Sequence, residues 1–183
     1  IQKICNFPVQ MEMSPGHFVN FSDAEETTSI DPGICWWLAE RCSIPELKFI
    51  GRRQLEPIKN AKTLTEFHKV TRHNDLRRLT HLLRDLVWLD DGRYKWEGHL
   101  PTAFFVDHQW MVSRNTPNKP DSLVIAVKGG HNDEFHNHND LGQFIIHING
   151  ESIVVALGRL RYSKDSQDYA SGKRYNFFEP RSA

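Results

Sequence analysis

The sequence predicts an α+β chain in which helices come first and antiparallel strands follow, with the changeover near residue 100. Three observations predict this. Apolar residues in ICWWLAERC (34–42) recur at i, i+3 and i+4, the spacing of a helix packed on one face. After residue 100 the period becomes two, in HQWMVSR (108–114), SLVIAVK (122–128), QFIIHI (143–148) and SIVVAL (152–157). Asn149-Gly150 joins the last two of these runs and is the strongest short signal for a type I′ hairpin turn. Helices followed by consecutive antiparallel strands give segregated halves, residues 1–100 helical and 101–183 antiparallel.

Within the first half, Asp31-Pro32 is a helix start, an N-capping acid with proline at the first helical position. A second helix is expected from Ile44-Pro45-Glu46 to about Leu55, ahead of Pro57. Between Thr63 and Leu89, Leu76, Leu79, Leu82, Leu83 and Leu86 form one stripe. Arg77, Arg78 and Arg84 fall on the opposite face, which is expected to be solvated. The first hundred residues thus read as helix throughout.

At 183 residues the chain is long enough to bury a sizeable core. Lys+Arg and Asp+Glu both number 23, so the formal charge is zero and no bulk field favours nucleic acid or an anionic membrane. No apolar run approaches the roughly 18 residues of a membrane span. The three cysteines, Cys5, Cys35 and Cys42, lack CxxC spacing, so buried free thiols are expected rather than a disulfide or a cysteine zinc site. The chain opens mid-pattern on IQKIC and stops at EPRSA. It reads as a piece of something longer, and its lack of a signal peptide carries no information.

Ten histidines are many for this length, and three of them sit between Lys128 and Asp140 in KGGHNDEFHNHND. If this segment is extended, His136, His138 and Asp140 project to one side and Asn137 and Asn139 to the other. Two imidazoles and a carboxylate suit a borderline divalent ion such as zinc. They also suit proton transfer, since histidine titrates near neutrality and an adjacent acid fixes its tautomer. The asparagine amides offer neutral donors to sugar hydroxyls or a substrate carboxylate. The plainer reading is a polar loop whose side chains satisfy backbone groups at a strand entrance. His147, alternating with Gln143 and Ile145, reads as a lining or surface residue and not as a ligand.

HxHxD also occurs in metallo-β-lactamase-like hydrolases, where a histidine directly follows the aspartate. Leu141 holds that place here, against a two-metal hydrolase. The whole block, KGGHNDEFHNHNDLGQFIIHINGESIVV, resembles the C-terminal part of heparinase II/III-like polysaccharide lyases. GHFVNFSDA (16–24), FFVDHQWMVSR (104–114) and RYSKDSQDYASGKRYNFFEPRSA (161–183) extend the likeness over most of the chain. The resemblance implies the end of an α/α toroid over residues 1–100 and the start of an antiparallel β-sandwich over 101–183. It also implies a periplasmic or secreted protein acting on a uronate-containing acidic polysaccharide by β-elimination.

For the site, the resemblance implies that His136 faces the sugar, with Tyr162, or failing it Tyr169, beside it. Asn137 and Asn139 are the candidates for binding substrate. It further implies a structural zinc held by His138, an aspartate at the end of the strand and a histidine further on. Ala156 stands where that aspartate would be, and the further histidine would fall beyond Ala183. Asp140 and His131 are the nearest replacements. Two other readings compete: a carbohydrate-binding relic of the same fold without turnover, and a zinc-dependent hydrolase built on HxHxD.

Overall fold

A computed structural model describes residues 2–28, 30–60, 62–63, 84–85, 87, 96, 98–133, 138, 140–156 and 158, with the side chains of 57–59 excepted. The architecture is α+β. Among the described residues there are three helices, α1 (Gln2–Met11), α2 (Pro32–Cys42) and α3 (Glu46–Asn60). A two-stranded hairpin, β1 (Glu12–Ser14) and β2 (His17–Phe18), follows α1 directly. The second half supplies β3 (Thr102–Phe105), β4 (Trp110–Arg114), β5 (Val124–Lys128), β6 (Phe144–Ile148) and β7 (Glu151–Val154). These five form one antiparallel sheet in sequence order.

Local chemistry accounts for most boundaries. Asp31 caps α2, its carboxylate accepting from Ile34 N at 3.0 Å, with Pro32 in the first turn. Ser43 ends α2 in the left-handed region, and α3 starts at Glu46. Contrary to expectation, α3 runs past Pro57 to Asn60. Proline there removes only one backbone bond close to the helix end. Asn149 and Gly150 both have positive φ (53° and 81°) and join Ile148 to its partner Glu151, as the hairpin signal predicts.

The all-helical reading of the first hundred residues fails at β1 and β2. Pro15-Gly16 makes a two-residue turn between Ser14 and His17, with Gly16 at φ 85°, a turn signal that outranks the helical neighbourhood. Arg84 is not on a solvated face. Its guanidinium reaches both oxygens of Asp31 at 2.5 Å and Asp85 at 2.9 Å. Asp85 in turn accepts from Gly33 N at 3.0 Å, so two acids and an arginine close the start of α2. The rest of the leucine stripe between Thr63 and Leu89 lies outside the described residues.

The cysteine expectation is also corrected. Cys5 and Cys42 form a disulfide, Cα atoms 6.6 Å apart, and Cys35 is the free, buried thiol. Seven-residue spacing places Cys35 and Cys42 on one face of α2, but it does not reveal that α1 brings Cys5 against the same face.

Two cores meet along the segment from α1 to Phe21. The helical core contains Cys5, Val9, Phe18, Cys35, Ala39, Leu47 and Ile50. The second core backs the sheet with Met11, Met13, Val19 and Phe21 against Val112, Val124, Ala126 and Ile145. Arg114, buried on the inner face, donates to Gln10 O at 2.5 Å and Glu12 O at 2.9 Å, satisfying carbonyls where α1 gives way to β1. The other face of the sheet is apolar too. Phe104, Met111, Val127 and Phe144 are cross-strand partners in one row, and Phe104 and Phe144 are exposed.

Candidate functional site

The histidine-rich block leaves β5 and returns to β6 at one end of the sheet. Lys128, last residue of β5, alternates inward and is fully buried. A buried ammonium demands compensation. Its Nζ donates to Asp140 Oδ1 at 2.5 Å and to Ser22 Oγ at 3.1 Å, with the His138 carbonyl at 3.5 Å. The backbone closes the same loop: Lys128 N donates to Gln143 O and Gly142 N to Lys128 O, both at 2.9 Å.

At His138 and over 140–143 the chain turns back on itself, which corrects the extended reading of the block at these residues. Asp140 N donates to His138 O at 2.8 Å and Gln143 N to Asp140 O at 3.0 Å, with Gly142 at φ 84°. The Asn-Asp-Leu-Gly composition favours such a turn over a strand. His138 nevertheless reaches the 22–23 loop directly, and Asp140 is linked to it through Lys128. His138 Nε2 lies 3.2 Å from Asp23 Oδ1, the two side chains being 13 % and 23 % exposed. Ser22, which supports Lys128, adopts φ 59° just before it.

Ser22 and Asp23 are neighbours of the block that residue-by-residue reading of it misses. Lys128 was legible, since the alternation of SLVIAVK points it inward at the strand end. The pairing of Ser22 and Asp23 with residues more than a hundred positions later has no local signal. His136, Asn137, Asn139, Tyr162 and Tyr169 lie outside the described residues. His131 Nδ1 accepts from Asp133 N at 3.2 Å within its own exposed loop.

The donors that are described do not make up a zinc set. His138 and Asp23 supply two, while the Asp140 carboxylate is paired with Lys128. Among the described residues no three His, Cys, Asp or Glu side chains converge on a common point. A dication beside the buried Lys128 ammonium would also be repelled. Ala156 is buried in the sheet core with Met13, Val19 and Phe21, and its carbonyl accepts from Asn20 Nδ2 at 3.3 Å. That position is packed as an apolar contact.

His147 is neither surface nor lining. It is fully buried on the inner face of β6, with Nε2 2.8 Å from Ser14 Oγ and Nδ1 2.9 Å from Ser152 Oγ. Ser152 donates to Glu26 Oε1 at 2.9 Å, and Glu26 also meets His17 Nδ1 at 3.1 Å. Burial, foremost, holds the His147 pKa below its ordinary value, so a neutral imidazole ties β1 to β6 and β7.

No protein-family model matches this chain, and no curated protein matches it either.

Proposed function

We propose that the protein is a portion of a polysaccharide lyase, resembling the heparinase II/III-like superfamily, that cleaves uronate-containing acidic glycans by β-elimination. The observation that carries the proposal is the KGGHNDEFHNHND block, fastened at one end of an antiparallel sheet by the buried Lys128–Asp140 pair and by His138–Asp23. A catalytic loop must hold its groups in place before substrate arrives, and an internal ion pair across the loop does this without spending the groups that would face sugar.

In this reading His136 faces the sugar, and Asn137 and Asn139 donate to the uronate carboxylate. Neutralising that carboxylate lowers the cost of the negative charge that develops when the C5 proton leaves. A base, Tyr162 or Tyr169 with His136, takes the proton. The C5–H electron pair becomes the C4–C5 double bond, the C4–O bond breaks, and a proton returns to the leaving oxygen.

The finer architecture belongs to the same proposal: the helices as the end of an α/α toroid and the sheet as one layer of a β-sandwich. The apolar outer row of Phe104, Met111, Val127 and Phe144 supports it, because one layer of a sandwich must present such a face to the other. The Cys5–Cys42 bridge supports an oxidising compartment, periplasmic or secreted. Among the described residues no helix is long and apolar enough to cross a membrane.

The test is to incubate the full-length protein with heparin, heparan sulfate and alginate and follow ultraviolet absorbance of the unsaturated product. Absorbance should rise with at least one polymer and fail to rise with His136→Ala. No rise with any uronate polymer would sink the proposal. A second reading, a carbohydrate-binding relic without turnover, is favoured by Ala156 in its apolar setting. It predicts calorimetric glycan binding with no product.

A further inference from the structure

The likeness to heparinase II/III-like lyases implies a structural zinc on His138, and the residues around that ring do not fit one. A short loop, residues 20–24, stands there instead, between the end of β5, the histidine-rich block and the chain after β7. Phe21 anchors it in the core, edge to face with Trp110 at 5.3 Å. Ala24 N donates to Phe21 O at 3.3 Å, and Ser22 between them has φ 59°, so the chain turns tightly at Ser22 and Asp23. On one side the loop lies against the stretch after β7. Asn20 Nδ2 donates to Ala156 O at 3.3 Å, and a Cβ added to Gly158 would stand 3.3 Å from Ala24 O and 3.4 Å from Asn20 Nδ2. On the other side Ser22 Oγ accepts from Lys128 Nζ at 3.1 Å.

Four fastenings on five residues leave Asp23 little freedom, and its Oδ1 stands 3.2 Å from His138 Nε2. An ionised carboxylate can only accept, so the imidazole hydrogen belongs on Nε2. That nitrogen then has no lone pair to give a cation. The carboxylate that would answer it from the strand end is lacking too, because Ala156 packs with Met13, Val19 and Phe21. Asp23 therefore does by hydrogen bond part of what a metal does by coordination: it fixes the direction of the His138 ring. The next fastening comes two residues on, where Lys128 holds Asp140. A loop gripped at both points is in place before substrate arrives.

We propose that Asp23 is a positioning residue for the histidine-rich block, a carboxylate that holds His138 through Nε2–H where the family likeness implies a metal. The hydrogen bond and the tautomer stand on the geometry alone. The effect of Asp23 on turnover rests on the lyase reading.

The experiment uses the intact protein labelled with nitrogen-15 at histidine, with the His138 ring assigned by His138→Gln and spectra taken where that ring is neutral. His138 should carry its hydrogen on Nε2, and neither EDTA nor excess zinc sulfate should shift it. Asp23→Asn keeps an oxygen acceptor in place and should keep the Nε2–H signature, whereas Asp23→Ala should lose it. On a uronate polymer Asp23→Ala should lower kcat by about tenfold with KM little changed, and Asp23→Asn should restore most of that loss. A His138 Nε2 that shifts with zinc or with EDTA is a metal ligand and overturns the proposal. So does a ring hydrogen on Nδ1, a signature that survives Asp23→Ala, or an Asp23→Asn variant that behaves like Asp23→Ala. The two readings separate in one sample. A parent inactive on every uronate polymer but with a zinc-insensitive Nε2–H loses the lyase reading and keeps this inference, and an active parent whose Nε2 responds to zinc does the reverse.

Discussion

Lys128 and Asp140 form an ion pair, Nζ to Oδ1 at 2.5 Å, across the two ends of the histidine-rich loop. The lysine side chain is wholly buried and the carboxylate only 10 % exposed. Neither ion could be there alone, because each offsets the other's lost hydration. Lys128→Met should therefore strand a buried carboxylate and cost about 3–5 kcal/mol in urea denaturation. Adding Asp140→Leu should recover a large part of that loss. A Lys128→Met variant within about 1 kcal/mol of the parent, an exposed pair's worth, would show that the loop is held otherwise.

The Lys128 charge also bears on metal binding. His138 and Asp23 are two donors beside a fixed cation, and Ala156, where the family resemblance would put a carboxylate ligand, packs its methyl group in an apolar core. Chelator should leave the thermal midpoint unchanged, and excess zinc should not raise it. A zinc-dependent rise of several degrees, as saturation of a tight site requires, would overturn this. Ala156→Asp should destabilise the fold by about 1–3 kcal/mol without zinc, since its carboxylate would enter the sheet core.

The disulfide makes a chemical prediction. Denatured, unreduced protein should titrate one thiol per chain, Cys35, since Cys5 and Cys42 are bridged. In the folded protein even that thiol should resist alkylation at neutral pH. Burial, helped by the charge of Asp31, pushes it up to about 12, and the thiolate is the reactive form. Reduction should lower stability by about 4 kcal/mol, the chain-entropy value for a loop of this length. Three titratable thiols before reduction would contradict the bridge.

What was legible in the sequence follows the range of the interactions. Asp31-Pro32 and Asn149-Gly150 act on residues two or three positions away, so their cap and turn were readable. The strands were readable because alternation is itself local: Val124, Ala126 and Lys128 face in, and Ile125 faces out. The site was readable only in part. HNHND announces polar chemistry, but the partners that fix it, Ser22 and Asp23, come from the far side of the fold. The same holds for Cys5 against Cys42, for His147 against Ser14, and for Arg84 against Asp31. In each case one partner carries no sign of the other until the chain is folded. The hairpin at Pro15-Gly16 is different, since its signal was present and the helical neighbourhood obscured it.

His99 gives the fold a pH dependence whose sign can be worked out. Its folded pKa is about 3, held down first by burial and then by Arg114 and Arg53. An unfolded histidine titrates near 6.5. Between these values the unfolded chain binds a proton that the folded chain refuses, so stability falls as pH is lowered through that window. One such proton corresponds to a slope approaching ~1.4 kcal/mol per pH unit. His147, also held below its ordinary value by burial, acts in the same direction. Glu12 and Asp85 act oppositely: burial raises both, so the folded state takes up their protons first. Comparison with a variant isolates the single group. His99→Gln keeps an acceptor for Trp96 Nε1 and removes the titration. Its stability curve by urea denaturation should be flatter than the parent's between pH 6.5 and 4, the two diverging as pH rises. Curves that run parallel over that range would mean that His99 takes up its proton as readily in the folded protein as in the unfolded chain.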